Sequence, residues 1–159
     1  MVKTFEGRMR VGRHVRVALV VSRFNGFVPE PLLAGALATL SEQGIGEDSV
    51  SVHWVPGAFE IPVVAARIAR SEKADSIICL GALIRGETPH FEYISSEVTR
   101  GLGSLAIEFD LPIAYGILTC DDVPQARARS GDDAGNKGRE AAATAIQMMD
   151  LFRSMDGRD

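Results

Sequence analysis

The sequence predicts a three-layer α/β sandwich built on a four-stranded parallel sheet. Three observations lead there. Strand-like and helix-like segments alternate four times along the chain. Each intervening segment is long enough for the crossover that a parallel pair requires. The first and third strand-like runs are apolar almost throughout, as in strands covered on both faces.

The elements follow in order. Val15 to Val21 is β-branched and nearly all apolar, and it ends at Ser22-Arg23-Phe24-Asn25-Gly26. Pro29 and Glu30 open a helix through about Gln43, where Gly44 stops it. Val50 to Val55 forms the second strand and ends at Pro56-Gly57, and a helix follows from about Glu60 to Ser71. Ser76 to Leu83 is the third strand, then Arg85 to Pro89 turns into a helix from about His90 to Phe109. Pro112 to Leu118 is the fourth strand. A short helix begins around Asp121 to Pro124 and reaches about Arg129. The Gly-rich stretch from Gly131 to Gly138 leads into a last helix ending near Met155. This alternation is of the flavodoxin-like class. Residues 3–8 precede the first βα unit. They are expected either to add an extra edge strand or to pair with the sheet of a neighbouring subunit.

At 159 residues the chain is expected to be one domain, 1–159. Hydrophobic residues make up 46% and aromatics only 6%, so the core must be mostly aliphatic. A net charge of −4 argues against broad nucleic-acid binding, which needs a basic face. A local anion site stays open, because it needs only a cation or two and some backbone N–H groups. Cys79 sits in the apolar run Ile77-Ile78-Cys79-Leu80 and reads as a small buried hydrophobe; Cys79 and Cys120 form no disulfide framework. The start lacks the hydrophobic region of a signal peptide, and no run of 18 apolar residues could span a membrane. A cytoplasmic protein is the expectation.

In open parallel sheets, ligands bind beyond the carboxyl ends of the strands. The segments expected there are Ser22 to Gly26, Pro56 to Glu60, Arg85 to His90 and Thr119 to Asp122. His90 can serve as acid or base near neutral pH, or it can merely cap a helix. Phe24 can staple the turn to the core, or offer a flat face to a heteroaromatic ring. Glu60 can be a helix-start carboxylate, or a ligand for ring or hydroxyl groups. Gly86-Glu87-Thr88 at a helix start could cradle phosphate, with the backbone N–H groups doing the binding, since Glu87 is itself negative. For His14 and His53 the structural reading is favoured. Gly131 to Gly138 is not a P-loop: Asn136 precedes the lysine and no Ser or Thr follows it. No G-x-G-x-x-G follows the first strand, and Ser22-Arg23 lacks the carboxylates of a phosphoacceptor site.

Together the blocks Ser22-Arg23-Phe24-Asn25, Val55-Pro56-Gly57-Ala58-Phe59-Glu60-Ile61-Pro62, Gly81 to Tyr93, and Ala134-Gly135-Asn136-Lys137-Gly138 resemble the signature blocks of lumazine synthases, in order and spacing. The resemblance spans essentially the whole chain. It implies riboflavin biosynthesis: 5-amino-6-(D-ribitylamino)uracil condenses with 3,4-dihydroxy-2-butanone 4-phosphate, losing phosphate and water. It implies that Phe24, Ala58, Phe59, Glu60, Ala82, Leu83, Ile84 and Tyr115 bind the uracil substrate. Glu87, Thr88, Arg129 and Lys137 would bind the sugar phosphate, and His90 would shuttle protons. Tyr115 and Arg129 would come from the adjacent subunit of a homopentamer, with a sixty-subunit icosahedral shell as the larger form. Riboflavin synthase is a candidate partner. No cofactor, metal, nucleic acid or membrane is expected. Tyr115 stands where phenylalanine is frequent in the family, so its hydroxyl needs a partner. Two other readings are weighed: a non-catalytic flavin- or nucleotide-binding module, and a mainly structural shell protein of the same family.

Overall fold

The structure is a computed structural model that describes residues 1–158. Four strands form one parallel sheet in the order β2-β1-β3-β4. They are β1 (Val17–Ser22), β2 (Val50–Val55), β3 (Ser76–Ile84) and β4 (Ile113–Cys120). Five α-helices connect and follow them: α1 (Pro29–Glu42), α2 (Ile61–Ser71), α3 (His90–Glu108), α4 (Val123–Arg129) and α5 (Lys137–Met155). Short 3-10 turns at Glu47–Ser49 and Ala58–Glu60 lead into β2 and α2.

The apolar character of the central strands has a direct cause in this order. Leu19 and Val21 of β1, with Ile78 and Leu80 of β3, face α1 and α5; Leu32, Leu40, Ala142 and Ile146 meet them there. Val20, Ile77 and Cys79 face the other way, onto Ile61, Ala65, Val98 and Leu102 of α2 and α3. Both faces of β1 and β3 are therefore dry, and alternation disappears from their sequence. The outer strand β2 is exposed or half-exposed up to Val55, and Ser51 and His53, two positions apart, bond along it at 3.0 Å. Cys79 is fully buried, and burial pushes its thiol up to about 12, so it is packing and not a nucleophile.

The packing of α5 on α1 explains one of the signature blocks. Asn136 is buried and caps α5: its Oδ1 accepts from the N–H groups of Gly138 and Arg139, at 2.8 and 3.2 Å. Its Nδ2 donates to the carbonyls of Pro31, at 3.1 Å, and Gly131, at 2.8 Å. A Cβ on Gly138 would lie 1.9 Å from the Leu32 carbonyl oxygen, so only glycine permits this approach. Ala134-Gly135-Asn136-Lys137-Gly138 is thus largely a helix start and a helix–helix contact.

The extra edge strand expected from residues 3–8 does not form within this chain, and the sheet stops at four strands. The segment is held on α5 instead. Asp150, with a side chain only 3% exposed, accepts from the Arg8 N–H at 2.8 Å and pairs with Arg10 and Arg153. Burial pushes the Asp150 carboxyl up, but these bonds outweigh it and hold it below the usual carboxylate range. The chain then crosses to β1 through Met9 and Val11, which pack on the α1–α5 core, so it reaches the sheet over a helix and not beside an edge.

Candidate functional site

The connection from β1 to β2 runs to one side of β1, and the connection from β2 to β3 crosses to the other side. The crevice between β1 and β3 is the point where this reversal leaves room for a ligand. The ladder between β1 and β3 ends at Val21 and Leu80, whereas β3 stays paired with β4 as far as Ile84. From Gly81 to Ile84, the edge of β3 that faces β1 therefore has no strand partner. That edge forms one wall of a cleft of about 490 Å³.

Each neighbouring turn adds a wall. After β1, the N–H groups of Arg23 and Phe24 donate to the carbonyls of Val55 and Pro56 at 2.8 and 3.0 Å, so the first two turns are tied together. Asn25 takes the left-handed backbone (φ 57°), which asparagine tolerates well. The Phe24 ring is left 68% exposed over the cleft, so it does not staple the core. After β2, Gly57, Ala58, Phe59 and Glu60 line the opposite side, with Phe59 54% exposed. Glu60 serves as a helix-start carboxylate: its Oε2 accepts from the Gly57 N–H at 2.9 Å. Its other oxygen makes no hydrogen bond among the described residues, so the two roles open in the sequence are compatible.

The third turn supplies the polar end. Ala82, Leu83 and Ile84 from β3 line the cleft, followed by Gly86, Thr88 and His90. His90 is the first residue of α3, after Pro89, whose carbonyl accepts from the Glu92 and Tyr93 N–H groups. Glu87 is exposed and does not line the cleft. Phe91, Ile94 and Asn25 do, and sequence reasoning did not single them out. Phe91 and Ile94 lie three positions apart on α3, the spacing that sets two side chains on one face of a helix.

Three candidate residues lie elsewhere. Tyr115, Arg129 and Lys137 line a second hollow of about 510 Å³ along β4 and α5, and it shares no residue with the cleft. Tyr115 has found the partner its hydroxyl needs: Thr99 on α3, at 2.9 Å. Lys137 pairs with Glu140, and Arg129 donates to the Gln125 carbonyl of its own helix at 3.0 Å. Among the described residues lining the cleft there is no lysine or arginine. No helix of the described residues is long and apolar enough to cross a membrane.

The cleft thus offers an aromatic face, an unpaired strand edge, a carboxylate with one free oxygen, a helix start and an imidazole. A family model described as 6,7-dimethyl-8-ribityllumazine synthase matches residues 14–153, which include every wall of the cleft and the whole second hollow. A match over that much of the chain makes it a member of the 6,7-dimethyl-8-ribityllumazine synthase family, and so of riboflavin biosynthesis.

Proposed function

We propose that the protein condenses 5-amino-6-(D-ribitylamino)uracil with 3,4-dihydroxy-2-butanone 4-phosphate to give 6,7-dimethyl-8-ribityllumazine. The observation that carries this reading is the convergence of Phe24, Glu60, Thr88 and His90 on one cleft beside the unpaired edge of β3. Phe24 stacks on the pyrimidine ring. Backbone groups of Ala82, Leu83 and Ile84 bond the ring edge, as they would bond a strand. The free oxygen of Glu60 accepts from the ribityl hydroxyls, between Ala58 and Phe59. The Gly86-Glu87-Thr88 turn offers backbone N–H groups at the start of α3, where the helix dipole favours phosphate.

The chemistry is a series of proton transfers. The ring amine attacks the ketone, and the resulting carbinolamine loses water to give an imine. A carbon proton is then removed as the carbon–oxygen bond to phosphate breaks. The enol so formed takes a proton at its terminal carbon and gives up its hydroxyl proton to become a methyl ketone, and the ribitylamino nitrogen closes on this new carbonyl with loss of a second water. Histidine can give and take each of these protons near neutral pH, and His90 is the imidazole in the cleft.

The dianionic substrate also wants a fixed cation, and the cleft walls carry no lysine or arginine. Arg129, with Tyr115 and Lys137, faces away on the β4 side, where it can serve a neighbouring copy. We therefore infer a homopentamer as the active unit, with Arg129 pairing the phosphate and Tyr115 covering the ring from the adjacent subunit. A sixty-subunit shell is the proposed larger form, the cytoplasm its proposed location, and riboflavin synthase its proposed partner as consumer of the product. The test is to mix the two substrates with and without protein and follow lumazine absorbance. A rate no faster than the spontaneous condensation would reduce the protein to a binder or a shell component.

A further inference from the structure

The turn that carries the polar end of the cleft is weakly held by itself. Gly86, Glu87 and Thr88 make no hydrogen bond to the rest of the chain among the described residues, and all three are exposed. Yet the phosphate subsite and His90 both depend on where this turn sits. One side chain at its neck ties it down. The Arg85 guanidinium donates through Nε to Asp121 at 2.9 Å and through a terminal nitrogen to Glu92 in the first turn of α3. It also lies over the Phe91 ring, 4.6 Å from its centre. The Arg85 backbone N–H donates to the Cys120 carbonyl at 2.9 Å. A single residue thus joins the end of β3, the start of α3 and the residue that precedes the cap of α4.

We propose that Arg85 is a positioning residue: it closes the 86–91 turn like a clasp, fixing the phosphate subsite and His90 without touching substrate. This rests on the functional reading above. Two features separate the role from that of a phosphate ligand. Arg85 is not among the residues lining the cleft, and its guanidinium is committed to two carboxylates. One cation against two anions leaves the cluster negative, which repels phosphate. A fold-holding role is separated by magnitude. All three charged groups are substantially exposed, and such pairs contribute little to global stability. The consequence of losing them is local: a turn of six residues regains its freedom, and displacement by about an ångström at a reacting centre can lower rates roughly 100-fold.

The test compares wild type with Arg85→Met, Arg85→Lys, Glu92→Gln and the Arg85→Met/Glu92→Gln pair. Arg85→Met should lower kcat and raise the KM of the sugar phosphate, together by roughly 10–100-fold in kcat/KM, with the KM of the uracil substrate nearly unchanged. Arg85→Lys should recover only part, because one ammonium cannot hold both carboxylates in a fork. Glu92→Gln should act in the same direction as Arg85→Met, and the double variant should be no worse than Arg85→Met. A lower sugar-phosphate KM in Glu92→Gln would overturn the proposal, since it would mean that a released Arg85 binds phosphate. So would additive losses, or kinetics like wild type in both single variants. Amide hydrogen exchange provides a readout without turnover: the Arg85, Glu92 and Tyr93 amides, which are hydrogen-bonded on either side of the turn, should exchange faster in Arg85→Met and Glu92→Gln, while those of β1 and α5 stay as in wild type. Unchanged exchange at these amides overturns the clasp whatever the activity. If wild type forms no lumazine above the spontaneous rate, the functional reading falls, and exchange alone judges the clasp.

Discussion

His90 stands at the first position of α3 and lines the cleft, while Pro89 holds the cap position. His90→Ala should leave folding intact and slow turnover. Losing a positioned acid–base group lowers rates by roughly 10²–10⁴-fold. The low end is expected, because this condensation is chemically easy and much of the acceleration should come from holding two substrates together. Steady-state rates at saturating substrate measure it, and an unchanged kcat would remove His90 from the mechanism. Arg129→Ala should weaken the sugar phosphate by about one to two powers of ten, the equivalent of one charge-assisted hydrogen bond of about 1.5–3 kcal/mol. Calorimetric titration with each substrate tests this; an equal loss of uracil affinity would show that the role is misassigned. At this scale the sequence was informative about residue types and ambiguous about roles. Phe24 could have been a staple, and only its exposure over the cleft decides otherwise. Glu60 could have been a cap or a ligand, and its bond to Gly57 leaves room for both.

Helix starts carry much of the local information in this chain. Pro29 opens α1, Asp122 caps α4 by accepting from the Gln125 N–H, and Asn136 caps α5. Asn136 does the most, because both ends of its amide are used inside the α1–α5 contact. Asn136→Ala removes the cap and leaves the Pro31 and Gly131 carbonyls without their donor. It should destabilise the fold by about 2–3 kcal/mol, lowering Tm by roughly 4–12 °C. Asn136→Asp keeps the capping oxygen but loses both donations, so it should melt between the two. Thermal melts followed by circular dichroism are the measurement, and an alanine variant melting within a degree of wild type would contradict this account. Because the Gly131 to Gly138 stretch is rich in glycine and holds a lysine, it invites a search for phosphate chemistry. The structure shows packing there, with Lys137 turned to Glu140. The N-terminal segment is the converse case. Its few apolar residues did not reveal that Asp150, some 140 positions later, would take its backbone N–H.

For the molecule as a whole, the separation of Tyr115 and Arg129 from the cleft is the feature with the largest consequence. If neighbours complete each other's sites, activity must track assembly. Light scattering at micromolar concentration should show pentamers or larger, and dilution that breaks them should abolish turnover. A monomer or dimer with full activity would defeat the shared site. The turn between α4 and α5 is short, running from Ser130 to Asn136, and Asp132 and Asp133 are exposed on it. Repeated acidic turns near a symmetry axis would repel one another, and salt would screen that repulsion. The shell should therefore gain over free pentamers as salt rises; pentamers at every salt would defeat the shell and leave the shared site standing.

The strands and helices could be read along the chain because each is specified by local pattern: apolar runs where both faces are covered, Pro, Asp or Asn at helix starts, and Gly44 after α1. The signature blocks could be read for the same reason, being continuous stretches of residues. What a linear reading cannot supply is which ends meet. The strand order decides that β1 and β3 part at their carboxyl ends, and so that the edge from Gly81 to Ile84 is free for a ligand. It also decides that Arg85 meets both Glu92 and Asp121, the latter 36 positions away. Packing likewise sets Tyr115 beside Thr99 and away from Phe24. These contacts arise between residues distant in sequence, whose types carry no mark of one another until the crossovers of a parallel sheet bring them together.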